Sequence, residues 1–421
     1  MHSPVPALFR LRGRHLAVLA MALLAGPIAA AASPRWQPLE HFLQERTGAH
    51  AYTGAVALVE HNGELVFAGH YGHQDIARTQ PMQADSIFRI YSMTKPVASV
   101  AALLLLEDGR LGLDDPVARH LPEFAGLQMV SAGSPLATQL EPVSRPLTVR
   151  HLLTHTSGLA VDRELHPAAT AQLLQADLDN ATSLADVAAR LARTPLAEPP
   201  GTHFHYQGAN TDLLARVVEV VSGQPFTQFV QQRIFTPLGM HDTAFEVPPE
   251  QRQRVVDLPT YDAAGALVRA STTSAQQPGV RLKGYDSAAG GLYSTAADYL
   301  RFARMLLGKG QAGTPPLLSR KTRQLMMADQ LATAFPAPVA GFSRGEGFGL
   351  GGYVVTDVAA RGRLGSVGQF GWSGAASTYF TVDPGEDLVA ILLLQYVDEG
   401  HHPAPASPST PFYNLVYQAI D

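Results

Sequence analysis

Ser92 and Lys95 lie three positions apart in the stretch Phe88-Arg89-Ile90-Tyr91-Ser92-Met93-Thr94-Lys95-Pro96, at the head of a strongly apolar run. If that run is a helix, a spacing of three puts both side chains on one face, within reach of each other. The N-terminal end of a helix adds oriented N–H groups and positive partial charge, which favour negative charge developing on the serine oxygen. For Lys95 to act as a base it must be neutral part of the time, and burial among apolar neighbours favours that form. The competing reading is a capping serine followed by a solvated lysine. The only lysines are Lys95, Lys283, Lys309 and Lys321, and Lys95 alone has a serine three residues before it. A lysine heading a helix also opposes the dipole. On these facts alone, both readings stand.

Other chemistry-bearing patterns are thinner. His151 and His155 have the i, i+4 spacing of a helical metal pair, but no glutamate occupies the metalloprotease position between them. His203 and His205 alternate along a strand or loop and are read without a metal role. Gly371-Trp372-Ser373-Gly374 misses the spacing of the G-x-S-x-G nucleophile elbow. Arg252 and Arg254, set between glutamines, read as a solvated face. Absence of cysteine excludes a thiolate nucleophile, a Cys-ligated zinc site, a disulfide and a lipid-modified cysteine.

The elements that must position Ser92 and Lys95 can be read outward from them. The run from Thr94 to Glu107 is a helix too apolar to lie on a surface, stopped by Asp108-Gly109. Before it, Leu39–Ala49 reads as a short helix, and two β-rich runs, Gly54–Glu60 and Glu64–Gly69, flank the hairpin signal Asn62-Gly63. The middle, from Leu111 to Leu325, is mostly helical, with pieces at Leu147–Thr154, Leu184–Ala192, Asn210–Ser222, Phe226–Ile234 and Ala296–Leu307. Within it, Asp257–Tyr285 has little periodicity and reads as a surface excursion that could shape a pocket. The β-pattern returns at Gly347–Thr356, Arg363–Gln369, Ser377–Val382 and Leu388–Gln395, and a short helix, Phe412–Ile420, closes the chain. The order β, helical, β predicts an α+β fold: one antiparallel sheet built from the N- and C-terminal strands and flanked by helices, with a large, mostly helical inserted lobe. The expected sheet lobe covers 37–91 and 342–421, the helical lobe 92–341, and ligands favour a cleft between such lobes.

With 46% hydrophobic and 16% charged residues, the 421-residue chain has an ordinary globular balance. Arg10, Arg12 and Arg14 precede an apolar run from Leu16 to Leu24 and the small residues Ala29–Ala32. This has the form of a secretory signal peptide, residues 1–32, with cleavage near Ala32 and a periplasmic or secreted product. The apolar run is shorter than the roughly 20 residues a membrane anchor needs. The formal charge is −5, or about −8 without the leader arginines, which argues against nucleic acid or an anionic membrane as main partner.

Several segments around Ser92 together carry a family resemblance. Ser92-Met93-Thr94-Lys95 is an S-x-x-K box of the kind found in β-lactamases and penicillin-binding proteins. Leu147-Thr148-Val149-Arg150-His151-Leu152-Leu153-Thr154-His155-Thr156-Ser157-Gly158-Leu159 resembles a stretch of class C β-lactamases and their esterase relatives. Pro200-Gly201-Thr202, Ile234-Phe235-Thr236-Pro237-Leu238-Gly239-Met240 and Ala289-Gly290-Gly291-Leu292-Tyr293-Ser294-Thr295 are similar to further markers of that branch. The resemblance runs from about Leu39 to Gln395 and implies a class C β-lactamase-like fold, closest to the family VIII carboxylesterases.

The resemblance also implies site residues. Tyr206 matches the tyrosine of the family's Y-x-N box, which shares proton transfer with the serine and lysine, while Gly208 stands where the family has an amide-binding asparagine. Trp372-Ser373-Gly374 stands at the third box, often K-T-G, with Trp372 in place of the carboxylate-binding lysine, as in the family's esterases. The N–H groups of Ser92 and Ala375 would form the oxyanion hole. Trp372 as core filler and Tyr206 as a half-buried loop aromatic are the structural alternatives. The implied activity is a serine hydrolase with an acyl-enzyme step, most simply a carboxylesterase on small esters, with no cofactor and no metal. A β-lactamase or D-amino-acid peptidase, or a non-catalytic penicillin- or peptidoglycan-binding protein, are the alternatives on the same scaffold. The expected partner is a small ester or amide, with no nucleic acid and no stable membrane anchor.

Overall fold

A computed structural model describes residues 34–48, 52–131, 139–309, 316–332 and 344–421; the expected leader, 1–32, lies outside them. Seven strands form one antiparallel sheet: β1 (Gly54–His61), β2 (Glu64–Gly72), β3 (Glu346–Phe348), β4 (Tyr353–Val355), β5 (Phe370–Gly374), β6 (Thr378–Asp383) and β7 (Leu388–Leu394), in the order β2-β1-β7-β6-β5-β4-β3. Both ends of the chain therefore build the sheet, and β1 and β7 pair inside it with Ala55 opposite Leu394 and His61 opposite Leu388. Asn62 and Gly63 both have positive φ, 53° and 79°, the twist a two-residue hairpin turn demands.

Strand β7, Leu-Val-Ala-Ile-Leu-Leu-Leu, is buried throughout because helices cover both faces. Leu388, Ala390, Leu392 and Leu394 pack with Leu39, Leu43, Phe412 and Val416 of the terminal helices α1 (Gln37–Arg46) and α7 (Ser409–Ile420). The alternate residues Val389, Ile391 and Leu393 join the main core with α2 (Thr94–Glu107) and α6 (Ala296–Leu307). The period-two pattern of a strand thus divides one apolar run between two cores. Helix α2 is buried from Thr94 to Leu105 and packs on α5 (Gly208–Ser222), which α3 (Val149–Leu153) and α4 (Leu184–Leu191) also flank.

Two expected strands differ. Arg363–Gln369 is not a strand: Gly365 and Gly368 have φ of 147° and 89°, and Arg363 turns back with Arg361 onto the Glu346 carboxylate, at 2.9 and 2.7 Å. The strand starts one residue later, at Phe370. The run Gly347–Thr356 is split into β3 and β4 by a turn through Gly351 (φ 95°), where a Cβ would stand 2.2 Å from Ser99 Oγ. The helix Phe226–Ile234 stops at Val230 and continues as a wider π turn, Gln231–Phe235. The Asp257–Tyr285 excursion contains a small hairpin, Pro259–Tyr261 with Leu267–Arg269, and a short helix, Thr273–Gln276. Among the described residues no helix is long and apolar enough to cross a membrane.

Candidate active site

Ser92 occupies a single tight turn, Tyr91–Met93, that runs directly into α2. The turn begins with a strained residue: Tyr91 has φ of 43°, a conformation a bulky side chain holds only when its surroundings enforce it. The surroundings are visible. Ile90 N–H donates to Leu292 O (3.0 Å), Ile90 O accepts from Thr378 Oγ1 (3.3 Å), Met93 O accepts from the Tyr299 hydroxyl (2.8 Å), and Thr94 Oγ1 accepts from Leu292 N–H (3.2 Å). Buried Arg89 anchors the neighbouring strand by donating to the carbonyl of Val256 (2.8 Å) and that of Ser274.

One helical turn on, Lys95 Nζ donates to Ser92 Oγ at 3.0 Å and to Ala289 O at 2.5 Å. Its side chain is almost fully buried, 3% exposed, and among the described residues no carboxylate pairs with it. The solvated-lysine reading is therefore excluded: the amine is desolvated and aimed at a hydroxyl. Its acceptor is fixed in turn by Asp212 of α5, a buried carboxylate that accepts from Ala289 N–H (2.9 Å), Ser287 Oγ (2.9 Å) and the Tyr285 hydroxyl (2.8 Å). Burial pushes the Asp212 carboxyl above its ordinary range, against the pull of those donors. Sequence reasoning misses Asp212; an acid inside the apolar face of α5 is the available signal.

Tyr206 faces this pair from the loop before α5. Lys95 Nζ lies 4.8 Å from the centre of its ring, and its hydroxyl accepts from the Trp372 indole N–H at 3.1 Å. Phe204, Leu331 and Phe348 pack with Trp372 into an apolar wall. Behind Tyr206 is His155, 4.7 Å between ring centres, wholly buried, with φ of 55° beyond the end of α3. Its Nδ1 accepts from Gln207 N–H (3.3 Å) and faces Asn210 Nδ2 (3.2 Å). Burial, reinforced by the Lys95 charge, holds the imidazole well below its usual value, hence neutral. His151 is instead the reciprocal cap of α3, its ring accepting from Thr148 N–H (3.1 Å). The two histidines do not converge.

The third side of the cleft is β5. Its pairing with β4 covers only Phe370 and Gly371, so the Trp372–Gly374 half runs past its neighbour and packs against the Ser92 turn. Gly374 is required there, because a Cβ would stand 2.2 Å from both Ile90 O and Thr378 Oγ1. Just beyond it, the N–H of Ala375 and that of Ser92 donate to no group among the described residues, leaving two donors on adjoining segments. Ser373 lies exposed on the same strand. Gly208 opens α5, where a Cβ would come 3.1 Å from that of Ala289; a larger side chain would press on the residue that holds Lys95. On the far side of Ser92, Tyr91 packs with Leu258, Ala270, Ala275 and Ala376, so the Asp257–Tyr285 excursion supplies a wall beside the Ser92 turn.

A half-buried serine beside a buried lysine, a facing tyrosine and a strand end with a spare N–H define an acyl-transfer site, and comparison with known proteins agrees. Residues 39–407 match the Beta-lactamase family model, and the chain belongs to that family. It is 32% identical to Esterase EstB of Burkholderia gladioli, over 82% of this chain and 87% of that one, and 29% identical to the lovastatin esterase of Penicillium rubens, over 81% and 88%. Among solved structures, simvastatin synthase from Aspergillus terreus superposes with a TM-score of 0.75 over 92% of this chain and 98% of that one, at 23% identity. The expected α+β, class C β-lactamase-like fold is the observed one, and the protein is a serine hydrolase.

Proposed function

We propose that the protein is a carboxylesterase for small, uncharged esters, with Ser92 as nucleophile and Lys95 and Tyr206 as its proton-transfer pair. The observation that carries the ester preference is the bond from Trp372 Nε1 to the Tyr206 hydroxyl. The position where a β-lactam-processing relative would offer a cation to a substrate carboxylate holds an indole committed to the catalytic tyrosine. Lys95 itself is engaged by Ser92 and Ala289. Together with Phe204 and Phe348 on one side and the Tyr91 cluster on the other, this makes walls suited to an apolar acyl or alcohol group. The relatives whose names denote esterases support the same reading.

Ser92 Oγ loses its proton to Lys95 and attacks the ester carbonyl carbon. The oxygen that becomes negative is received by the N–H groups of Ser92 and Ala375, which need no reorganisation to meet it. The intermediate collapses by breaking the bond to the alcohol oxygen, which takes up a proton from the Lys95–Tyr206 pair. Water, deprotonated by the same pair, then attacks the acyl-enzyme and regenerates Ser92. We further propose export with cleavage near Ala32, which intact-mass measurement of the processed protein checks. Short p-nitrophenyl esters and a chromogenic cephalosporin, compared on the purified mature chain, test the substrate class. The expected result is ester turnover with a far higher kcat/KM; faster turnover of the cephalosporin overturns the reading.

A further inference from the structure

Outside the Ser92 site, three imidazoles converge on one carboxylate. Glu198 Oε1 lies 2.9 Å from His166 Nε2, while its Oε2 lies 3.2 Å from His205 Nε2 and 2.7 Å from His203 Nδ1. The side chains of His166, Glu198 and His205 are 21%, 14% and 20% exposed, and one donor atom from each lies within 4.8 Å of the others. Asp162 adds a further negative charge facing His166 and His205. The residues come from two segments stitched together: Ala197 N–H donates to Gly158 O (2.8 Å), Gly201 N–H to Thr156 O (2.6 Å) and His205 N–H to His155 O (2.8 Å). The donor atoms are thus brought together by backbone bonds that do not involve them. Of this cluster the sequence showed only the alternation of His203 and His205; His166 and Glu198 meet them only in the fold.

We propose that His166, Glu198 and His205 bind a divalent transition-metal ion, with the rim residue His203 as a further donor, and that the ion braces the segment that delivers Tyr206 to Ser92. Two imidazole nitrogens and a carboxylate oxygen are a borderline donor set that suits zinc, nickel or copper rather than magnesium or calcium, which demand oxygen. A four-coordinate ion places its ligands roughly 3.3 Å apart, and here one donor atom from each residue already lies within 4.8 Å of the others, so binding asks for side-chain adjustment rather than backbone movement. Partial exposure gives an ion a path of entry and leaves room for a water. His205 immediately precedes Tyr206 and is bonded to His155, the imidazole that backs the Tyr206 ring. Fixing His205 therefore fixes the tyrosine.

Zinc chloride titrated calorimetrically into the chelator-treated full-length protein, with metal content measured after dialysis, tests this directly. One zinc per chain is expected. Glu198→Gln, His166→Ala and His205→Ala should each weaken zinc binding by more than the roughly 10–100-fold that loss of an outer partner costs, and His61→Ala, at the end of β1, should not change it. Circular dichroism reports whether each variant folds. If Glu198→Gln does not, the two histidine variants, which leave the carboxylate a partner, decide the matter. Cobalt in place of zinc should give the absorption of imidazole and carboxylate coordination, lost in the same variants. Zinc uptake unaltered by these substitutions, or no uptake, overturns the proposal and leaves Glu198 as a hydrogen-bonding hub. Uptake by Ser92→Ala is expected to match the wild type, so this result is independent of the esterase reading.

Discussion

The Ser92–Lys95 wall of the cleft and the Tyr206–Trp372 wall opposite it are built differently. The first comes from one short segment, largely buried and held at Ile90 and Met93, on either side of Ser92, by bonds to Leu292, Thr378 and Tyr299. The second joins a loop residue to a strand residue 166 positions away through a hydrogen bond and a ring contact, and Tyr206 remains 39% exposed. On the proposed reading the nucleophile and its base sit on locally encoded structure, whereas Trp372, proposed to favour esters, acts on Tyr206 across a contact between distant segments. Substitutions at Ser92 and Lys95 should therefore remove turnover itself, and those at Trp372 should alter rate and preference by modest factors.

The sharpest test of that contrast is Ser92→Ala, expected to lower kcat for p-nitrophenyl acetate by on the order of 10⁵-fold or more, with the melting temperature nearly unchanged and labelling by a fluorophosphonate abolished. Labelling elsewhere in the chain would place the nucleophile wrongly. Lys95→Met comes next. It keeps the packed length but removes the proton acceptor, for an expected loss of about 10²–10⁴-fold in kcat with KM little altered. It also leaves the Ala289 carbonyl without its donor, so about 1–3 kcal/mol of stability should go with it, measured by urea unfolding. A Lys95→Met enzyme that keeps its kcat would transfer the base role wholly to Tyr206.

The same contrast governs what could be read from sequence. The S-x-x-K spacing, the apolar run of α2 and the Asn62-Gly63 turn are local, and each appears in the structure where its residues predicted it. The expected strand Arg363–Gln369 does not form and β5 begins just after it, at Phe370, because Gly365 and Gly368 and the pull of Glu346 on Arg361 and Arg363 bend that segment. Asp212, His155 as the support of Tyr206, and the Glu198 cluster depend on contacts between distant segments and left little trace in any window of sequence. Gly374 was legible only as a glycine; that it lets β5 lie against Ile90 O follows from the packing.

The support behind Tyr206 should show in pH dependence. His155 is held neutral by burial and then by the Lys95 charge, and His151 is lowered to about 4, chiefly by burial. Both take up protons more readily unfolded, with an ordinary value of about 6.5. Their contribution to stability is therefore fully present above about pH 6.5 and is lost as pH falls below it, at about 1.4 kcal/mol per pH unit for each proton the unfolded chain binds in excess. His155→Asn, whose side-chain oxygen can accept from Gln207 N–H, should flatten the urea-midpoint profile between about pH 6.5 and 4 by up to one proton. An unchanged slope would mean that His155 titrates normally in the fold.

The smallest expected effect separates a positioning role for Trp372 from simple core filling. Trp372→Phe keeps an aromatic ring against Phe348 and Tyr206 but deletes the N–H that the Tyr206 hydroxyl accepts. A net hydrogen bond is worth about 0.5–1.5 kcal/mol, so kcat on a short ester should fall about 2–10-fold, with a displaced pH–rate profile because the freed hydroxyl now meets water. KM for an apolar ester should hardly move, since the apolar face of the wall is retained. If Trp372 only fills space, the substitution would instead lower the melting temperature through the smaller ring and leave kcat and the pH profile where they were. The two outcomes are read on the same protein preparation, and only the first is compatible with an indole that holds the tyrosine in register with Ser92.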